Sequence, residues 1–553
     1  MPIPAGEPMD SHRAAGHSVQ GLWRTAEQAL AASDMPAARA GYEALLGLEP
    51  AHAGALLRLS TLATGDGRVR EAVARLLVLA ADPPHDPGLL LTLSSSLHRL
   101  GESEAALACL RHPAWARCRA PSLLEQAART AGYLEDFATA DRMLRAAEAL
   151  GGASASIDYA IATHALFAGD TATARARFGT CLVRRPDHAA AHWALARLQR
   201  QTDDDNHVAR LRSALETAGT PAQAAYLGFA LFKELDDLGD LPSAWQALMR
   251  GCDAKRAQLD ASPVARNAAT DEAAAFEALH ALWADAAQDS PPEPAAVDAP
   301  TPIFIVGMPR TGTTLLERVL AGVDGVVDAG ELDDIPLQLR WIADRFSRTF
   351  QDARVFDAAR AVLRRQPALL RQRYLAHAAW RIGDARWFTD KLPLNVMHLG
   401  FICEAFPDAP VLHMVRDPMD TCFSNLKELF NEAYPYSYSL DALATHYGRY
   451  RRLLARWHAR FPGRILDVPY AQLVTAPEDW ARRVIDFCGL PWDPRCVDIA
   501  STGGAVTTAS SVQVREGIHA RGVSAWRRYA APLEPLRARL QADGWVDANG
   551  EAI

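Results

Sequence analysis

The sequence predicts an α + α/β chain, in which an N-terminal all-α solenoid precedes a C-terminal P-loop-like α/β domain with a mostly parallel sheet. Three observations predict it. Alanines recur every 34 residues between positions 38 and 174, a Pro-rich stretch covers 286–300, and an apolar run, a glycine loop and an amphipathic helix follow at once. The chain has 553 residues, too many for one hydrophobic core. Its 49% hydrophobic and 22% charged residues are ordinary for a globular protein.

The alanines are Ala38, Ala72, Ala106, Ala140 and Ala174. Five positions before each stands a turn residue: Ser33, Gly67, Gly101, Glu135 and Gly169. Twelve positions after three of them stands a proline: Pro50, Pro84 and Pro186. Glycine ends one helix and reverses the chain, alanine lets the next helix approach closely, and proline stops it. Leucines at helical spacing, such as Leu89, Leu90, Leu93 and Leu97, supply the apolar face. A 34-residue period with this internal order resembles tetratricopeptide (TPR) repeats. From about 189 to 283 the pattern stays helical, and Gly239 and Ala244 keep the five-residue offset out of register, as in a degenerate last repeat with capping helices. The expected organisation is a TPR-like helical repeat domain with capping helices over 20–285, a Pro-rich linker over 286–300, and an α/β domain over 301–540.

The α/β domain opens on TPIFIVGMPRTGTTLLERVL. Ile303 to Val306 suits a buried parallel strand, and Leu315, Leu316, Val319 and Leu320 share one helix face. Backbone N–H groups and the helix dipole converge on the loop between them, which suits a phosphate. The spacing from Gly307 to Gly312 is that of a Walker loop, but Thr313 stands where the Walker lysine belongs, and Arg310 is the loop's cation. Trp387–Phe388, Val411–Val415 and Ile465–Val468 read as further strands. Polar residues follow each of them: Asp390–Lys391, Arg416–Asp417 and Tyr470. Ligands of open parallel sheets bind at such strand ends.

A formal net charge of −8 gives no reason to expect nucleic acid or an anionic membrane as partner. The eight cysteines are scattered without metal-ligand spacing or a disulfide framework, so no metal is expected. The first twenty residues lack the order of a signal peptide, and no apolar run approaches membrane-spanning length. The expected location is cytoplasmic.

The α/β segments together resemble the sulfotransferases that use 3′-phosphoadenosine 5′-phosphosulfate (PAPS), closest to the branch of tyrosylprotein sulfotransferases and TPR-carrying bacterial proteins. The resemblance covers about 302–530 and rests mainly on GMPRTGTTLLE (307–317) and VRDPMDTCFS (415–424). GELDD (330–334), DKLPLN (390–395), VPYAQLV (468–474), FCGLPW (487–492) and SSVQVR (510–515) before Trp526 add weaker support. It implies that Arg310, Thr311, Gly312, Thr313 and Thr314 bind the 5′-phosphosulfate, and that Arg416 and Ser424 bind the 3′-phosphate. It also implies that Glu331 is the general base and that Lys391 contacts the bridging oxygen of the leaving phosphate. Tyr470, Ser510 and Arg515 are implied as further contacts to the product, PAP, or to the active site. In the cytosolic branch a histidine stands two residues past the lysine. Here that residue is Pro393, which favours Glu331 as base. A basic residue often precedes the late tryptophan. Ala525 stands there instead, leaving Arg521, Arg527 or Arg528 to compensate.

Such a site needs no metal. Charge gathers on the leaving 5′-phosphate, where fixed cations and backbone N–H groups stabilise it. A carboxylate takes the proton of the attacking hydroxyl or amine. The expected activity is thus PAPS-dependent sulfuryl transfer to a hydroxyl or amine acceptor, while the concave repeat array serves either to present a peptide or protein acceptor or only for dimerisation or scaffolding. Two other readings stand beside it. One is a TPR scaffold with a PAP-binding but inactive domain; the other is a P-loop kinase or NTPase, which the missing lysine disfavours.

Overall fold

The computed structural model describes residues 18–262, 265, 268–284, 299–430, 432–499 and 517–553. The chain divides into two units, Met1–Gly151 with Arg340–Ser347, and Gly152–Leu339 with Arg348–Ile553. The division falls at 151 and not in the stretch 286–300, most of which lies outside the described residues.

In the first unit the 34-residue period becomes four helix hairpins. They are Val19–Ala31 with Met35–Leu48, Ala53–Gly65 with Val69–Ala81, Pro87–Arg99 with Ser103–Arg111, and Pro121–Tyr133 with Phe137–Gly151. Each turn residue adopts a left-handed conformation, with φ of 60° at Ser33, 82° at Gly67, 90° at Gly101 and 56° at Glu135. Ser33 and Glu135 do so at a cost of about 1–2 kcal/mol that glycine avoids. Ala38, Ala72, Ala106 and Ala140 are fully buried, where a larger side chain would push the paired helices apart. Asp34 and Asp136, next to two of the turns, accept from the Ala37 and Thr139 N–H groups and cap the following helices. Within this unit Arg70 donates its backbone N–H to Asp344 at 2.8 Å and its Nε to the Trp341 carbonyl at 3.0 Å.

The second unit repeats the device. Ala155–Ala168 and Thr171–Arg184 join through Gly169 at φ 86°, with Ala174 buried. Pro221–Leu238 and Leu241–Ala261 join through Gly239 at φ 82°, with Ala244 buried, so the out-of-register offset marks a real hairpin. A Cβ on Gly228 would lie 2.7 Å from the Gly251 backbone, so these two helices pack at glycine-only distance.

The strands β1 (Thr301–Gly307), β2 (Val326–Asp328), β3 (Trp387–Asp390), β4 (Val411–Val415) and β5 (Ile465–Pro469) form one parallel sheet in the order β2-β3-β1-β4-β5. Four strands stand where the apolar runs predict them. The fifth, β2, is a partly exposed edge of three residues, too short to show a period. β1 pairs with β3 through Thr301 opposite Trp387 and with β4 through Phe304 opposite Val411. The sheet core holds Ile303, Ile305, Leu316, Leu412 and Val468. Among the described residues no helix is long and apolar enough to cross a membrane.

Helices before residue 285 are built into this α/β core. Trp283 is 2% exposed and lies edge-on to Phe401 and Trp457, with centroids 4.8 and 5.3 Å away. Its indole N–H donates to Glu404 at 2.8 Å. Glu272 accepts from Arg449 at 3.1 Å and pairs with His446 at 2.8 Å.

Candidate functional site

The loop after β1 sits where the sheet order reverses, between the neighbours β3 and β4. It turns through left-handed Arg310 (φ 65°) and Gly312 (φ 107°) before the helix Thr313–Ala321. The Thr311 hydroxyl donates to the Met308 carbonyl at 2.8 Å and Asn425 donates to the Pro309 carbonyl at 2.8 Å, which fixes the loop from both sides. Thr313 and Thr314 are buried at the helix N-terminus, the end that favours anions. A Cβ on Gly312 would lie 2.7 Å from the Tyr470 ring. Gly312→Ala is therefore expected to lower stability by about 1–3 kcal/mol through the left-handed backbone alone, and more if Tyr470 resists. Urea unfolding midpoints check this, and an unchanged midpoint refutes it.

Arg416 follows β4 and anchors the region. Its guanidinium donates to the Arg310 carbonyl at 2.8 Å and the Gly522 carbonyl at 2.5 Å, and lies 4.8 Å over the Tyr470 ring. Its Nε is buried with no hydrogen-bond partner among the described residues. Ser424 lies on the helix Pro418–Leu426, whose first turn Asp417 caps by accepting from the Asp420 N–H at 2.8 Å. Asp420 in turn accepts from the Ser524 and Trp526 backbone N–H groups at 2.7 and 3.0 Å and fastens the C-terminal segment beside the sheet.

Arg310, Arg416, Ser424 and Tyr470 line one cavity of about 360 Å³. Arg521 lines it too, whereas Arg527 pairs with Glu551 and Arg528 with Asp236. Of these three arginines, Arg521 is the one that lines the cavity. Ser510 and Arg515 lie outside the described residues.

Sequence reasoning missed Lys427 and Glu428, three and four residues past Ser424, which also line the cavity. Their spacing from Ser424 was the available signal. Burial pulls the Lys427 ammonium down to about 8, with Asp236 opposing. Burial likewise holds the Arg310 guanidinium below its usual value, against the opposing pull of Glu428 at 3.6 Å.

Glu331 and Lys391 are not among the residues lining that cavity; they meet each other. The Lys391 ammonium donates to Glu331 at 2.5 Å, and its backbone N–H donates to the Gly330 carbonyl at 2.9 Å. Burial would lower the Lys391 value, but Glu331 and Glu317 outweigh it and hold the ammonium above its ordinary range. Glu317, 4.0 Å from Lys391, is itself pushed well above the carboxylate range by burial. Asp390 instead accepts from the Tyr374 hydroxyl at 2.9 Å.

Residues 302–494 match the model of the Sulfotransferase family. A protein of Aquifex aeolicus described as uncharacterized is 34% identical over 246 residues, which cover 43% of this chain and 32% of that protein. Protein-tyrosine sulfotransferase 1 of Danio rerio is 26% identical over 267 residues, 44% of this chain and 72% of that enzyme. Among solved structures, the sulfotransferase domain from the curacin biosynthetic pathway aligns with a TM-score of 0.30 at 18% identity, over 44% of this chain and 96% of that domain. The chain spans about a third of the Aquifex protein's length. The loop at the reversal of the parallel sheet lies within residues 302–494, the stretch of this chain that is similar to the Sulfotransferase family.

Proposed function

We propose that the chain is a PAPS-dependent sulfotransferase acting on a hydroxyl or amine acceptor. The observation that carries the reading is the cation-lined cavity at the loop after β1, with a buried Arg416 Nε that lacks a partner among the described residues. A buried donor without a partner is costly, and a phosphate oxygen is a strong acceptor for it. At about 360 Å³ the cavity falls within the usual range of about 300–1,000 Å³ for small-ligand sites.

In this reading Arg416 and Ser424 hold the 3′-phosphate, with Tyr470 beneath the guanidinium. Arg310 and the Thr311–Thr314 backbone hold the 5′ end. Glu331 takes the acceptor's proton as the sulfur–oxygen bond to the acceptor forms, and the bond from sulfur to the donor's phosphate oxygen breaks. Lys391 and Arg310 stabilise the negative charge left on that phosphate. Ser510 and Arg515 stand as proposed further contacts. The helical repeats would present a peptide or protein acceptor. Cytoplasm is the compartment we propose, since all eight cysteines are free and buried.

Calorimetry with PAP and AMP tests the donor assignment. Arg416→Ala is expected to weaken PAP binding by about 1.5–3 kcal/mol and AMP binding far less. Equal affinity of the unmodified chain for PAP and AMP would refute the 3′-phosphate role.

A further inference from the structure

The cavity that holds Arg310 and Arg416 is closed on one side by residues far outside the stretch that matches the family. Trp193, Arg197 and Arg200 come from the helix Ala189–Leu198 and the residues just after it. Phe232 and Lys233 come from the helix Pro221–Leu238. All of them belong to the same unit as the sheet.

The wall is tied to the loop after β1 through one carboxylate. Glu428 lies 3.3 Å from Arg197 and 3.6 Å from Arg310, so it bridges a cation of the helical wall and the cation of the loop. Two guanidinium groups facing one cavity repel each other, and the buried carboxylate between them offsets that repulsion. The Arg197 guanidinium also lies 4.9 Å over the Trp193 ring, which limits its reach to the cavity side. Lys233 is held by the Gln199 carbonyl at 2.8 Å and Asp237 at 2.5 Å. Aromatic rings and fixed guanidinium groups on one wall suit a phosphorylated nucleoside, which offers a base to stack and phosphates to pair.

We propose that the helical segment from Trp193 to Lys233 is part of the nucleotide site, with Arg197 a further phosphate-binding residue and Arg200 a weaker one. The proposal rests on the reading that this cavity takes PAPS. It gives the helices next to the sheet a direct role in donor binding, apart from any role of the repeats in recruiting an acceptor.

The test is calorimetric titration of the full chain with PAP. Arg197→Ala should weaken PAP binding by about 10–100-fold, the loss of one charged hydrogen bond. Arg200→Ala, at an exposed position that carries little risk to folding, should weaken it by about 2–5-fold. Arg111→Ala removes a cation that pairs with Asp136 in the repeats and does not line the cavity; PAP binding should be unchanged. Melting curves of each variant establish that it is folded. If Arg197→Ala and Arg200→Ala bind PAP as the unmodified chain does, while Arg416→Ala does not, the helical wall is no part of the site. If the unmodified chain fails to bind PAP at all, the PAPS reading falls, and this inference with it.

Discussion

Glu331→Ala is expected to lower sulfuryl transfer by about 10²–10⁴-fold while PAP affinity stays near that of the unmodified chain. The expectation follows from position. Glu331 leaves the sheet edge in the loop before the helix Asp334–Ala343, and its side chain is 43% exposed while its partner Lys391 is 1% exposed. An exposed carboxylate can meet an incoming acceptor; a buried ammonium beside it can turn toward a leaving phosphate. In the structure the two hold each other at 2.5 Å, so each is oriented by the other. A merely structural pair makes a different prediction. Removing Glu331 would then lower the melting temperature, and turnover per folded molecule would survive. Glu331→Gln separates the cases, because it keeps the shape and a hydrogen-bonding oxygen for Lys391 but cannot take a proton. Single-turnover measurements in which Glu331→Gln retains most of its activity would transfer the base role to another group.

The second large effect concerns folding. Trp283→Ala is expected to destabilise the unit that contains the sheet by about 3–5 kcal/mol. The side chain fills a slot bounded by Phe401 and Trp457, and a Cβ on Gly400 would come within 2.6 Å of its ring. The Arg360 guanidinium lies 4.7 Å over the same ring and also pairs with Glu404. Truncation therefore opens a cavity, removes two edge-on aromatic contacts, and takes the indole donor from Glu404. Urea denaturation followed by the fluorescence of the remaining tryptophans measures the loss, and a change below about 1 kcal/mol would refute this anchoring role. By the same argument, a chain starting near residue 295 lacks Trp283, Glu272 and the wall of the nucleotide cavity. It should aggregate or bind PAP poorly, whereas a chain starting at 152 keeps all three.

Much of this was legible in the residues. The turn positions Ser33, Gly67, Gly101, Glu135 and Gly169 and the alanines five places later reappear as left-handed turns and fully buried contacts. They are legible because helix packing imposes a local, periodic demand on residue size and backbone freedom. The glycine loop after Val306 and the polar residues after β3, β4 and β5 were legible for a related reason. A parallel sheet carries its ligand groups just past continuous apolar runs. The short edge strand β2 was not legible, since three partly exposed residues show no period.

What the sequence by itself determined, then, is the sequence-local part: the repeat period, the strand–loop–helix, the arginine–serine spacing of Arg416 and Ser424, and the family those motifs resemble. Only the tertiary structure decided which distant residues share a space. It paired Glu331 with Lys391 across 60 positions and selected Arg521 over Arg527 and Arg528 for the cavity. It also set Arg197 opposite Arg310 through Glu428, and seated Trp283 inside the α/β core. These contacts are made by long side chains meeting across separate helices and strands. No local spacing encodes such a meeting; it is fixed only when the packed core sets the distances between elements.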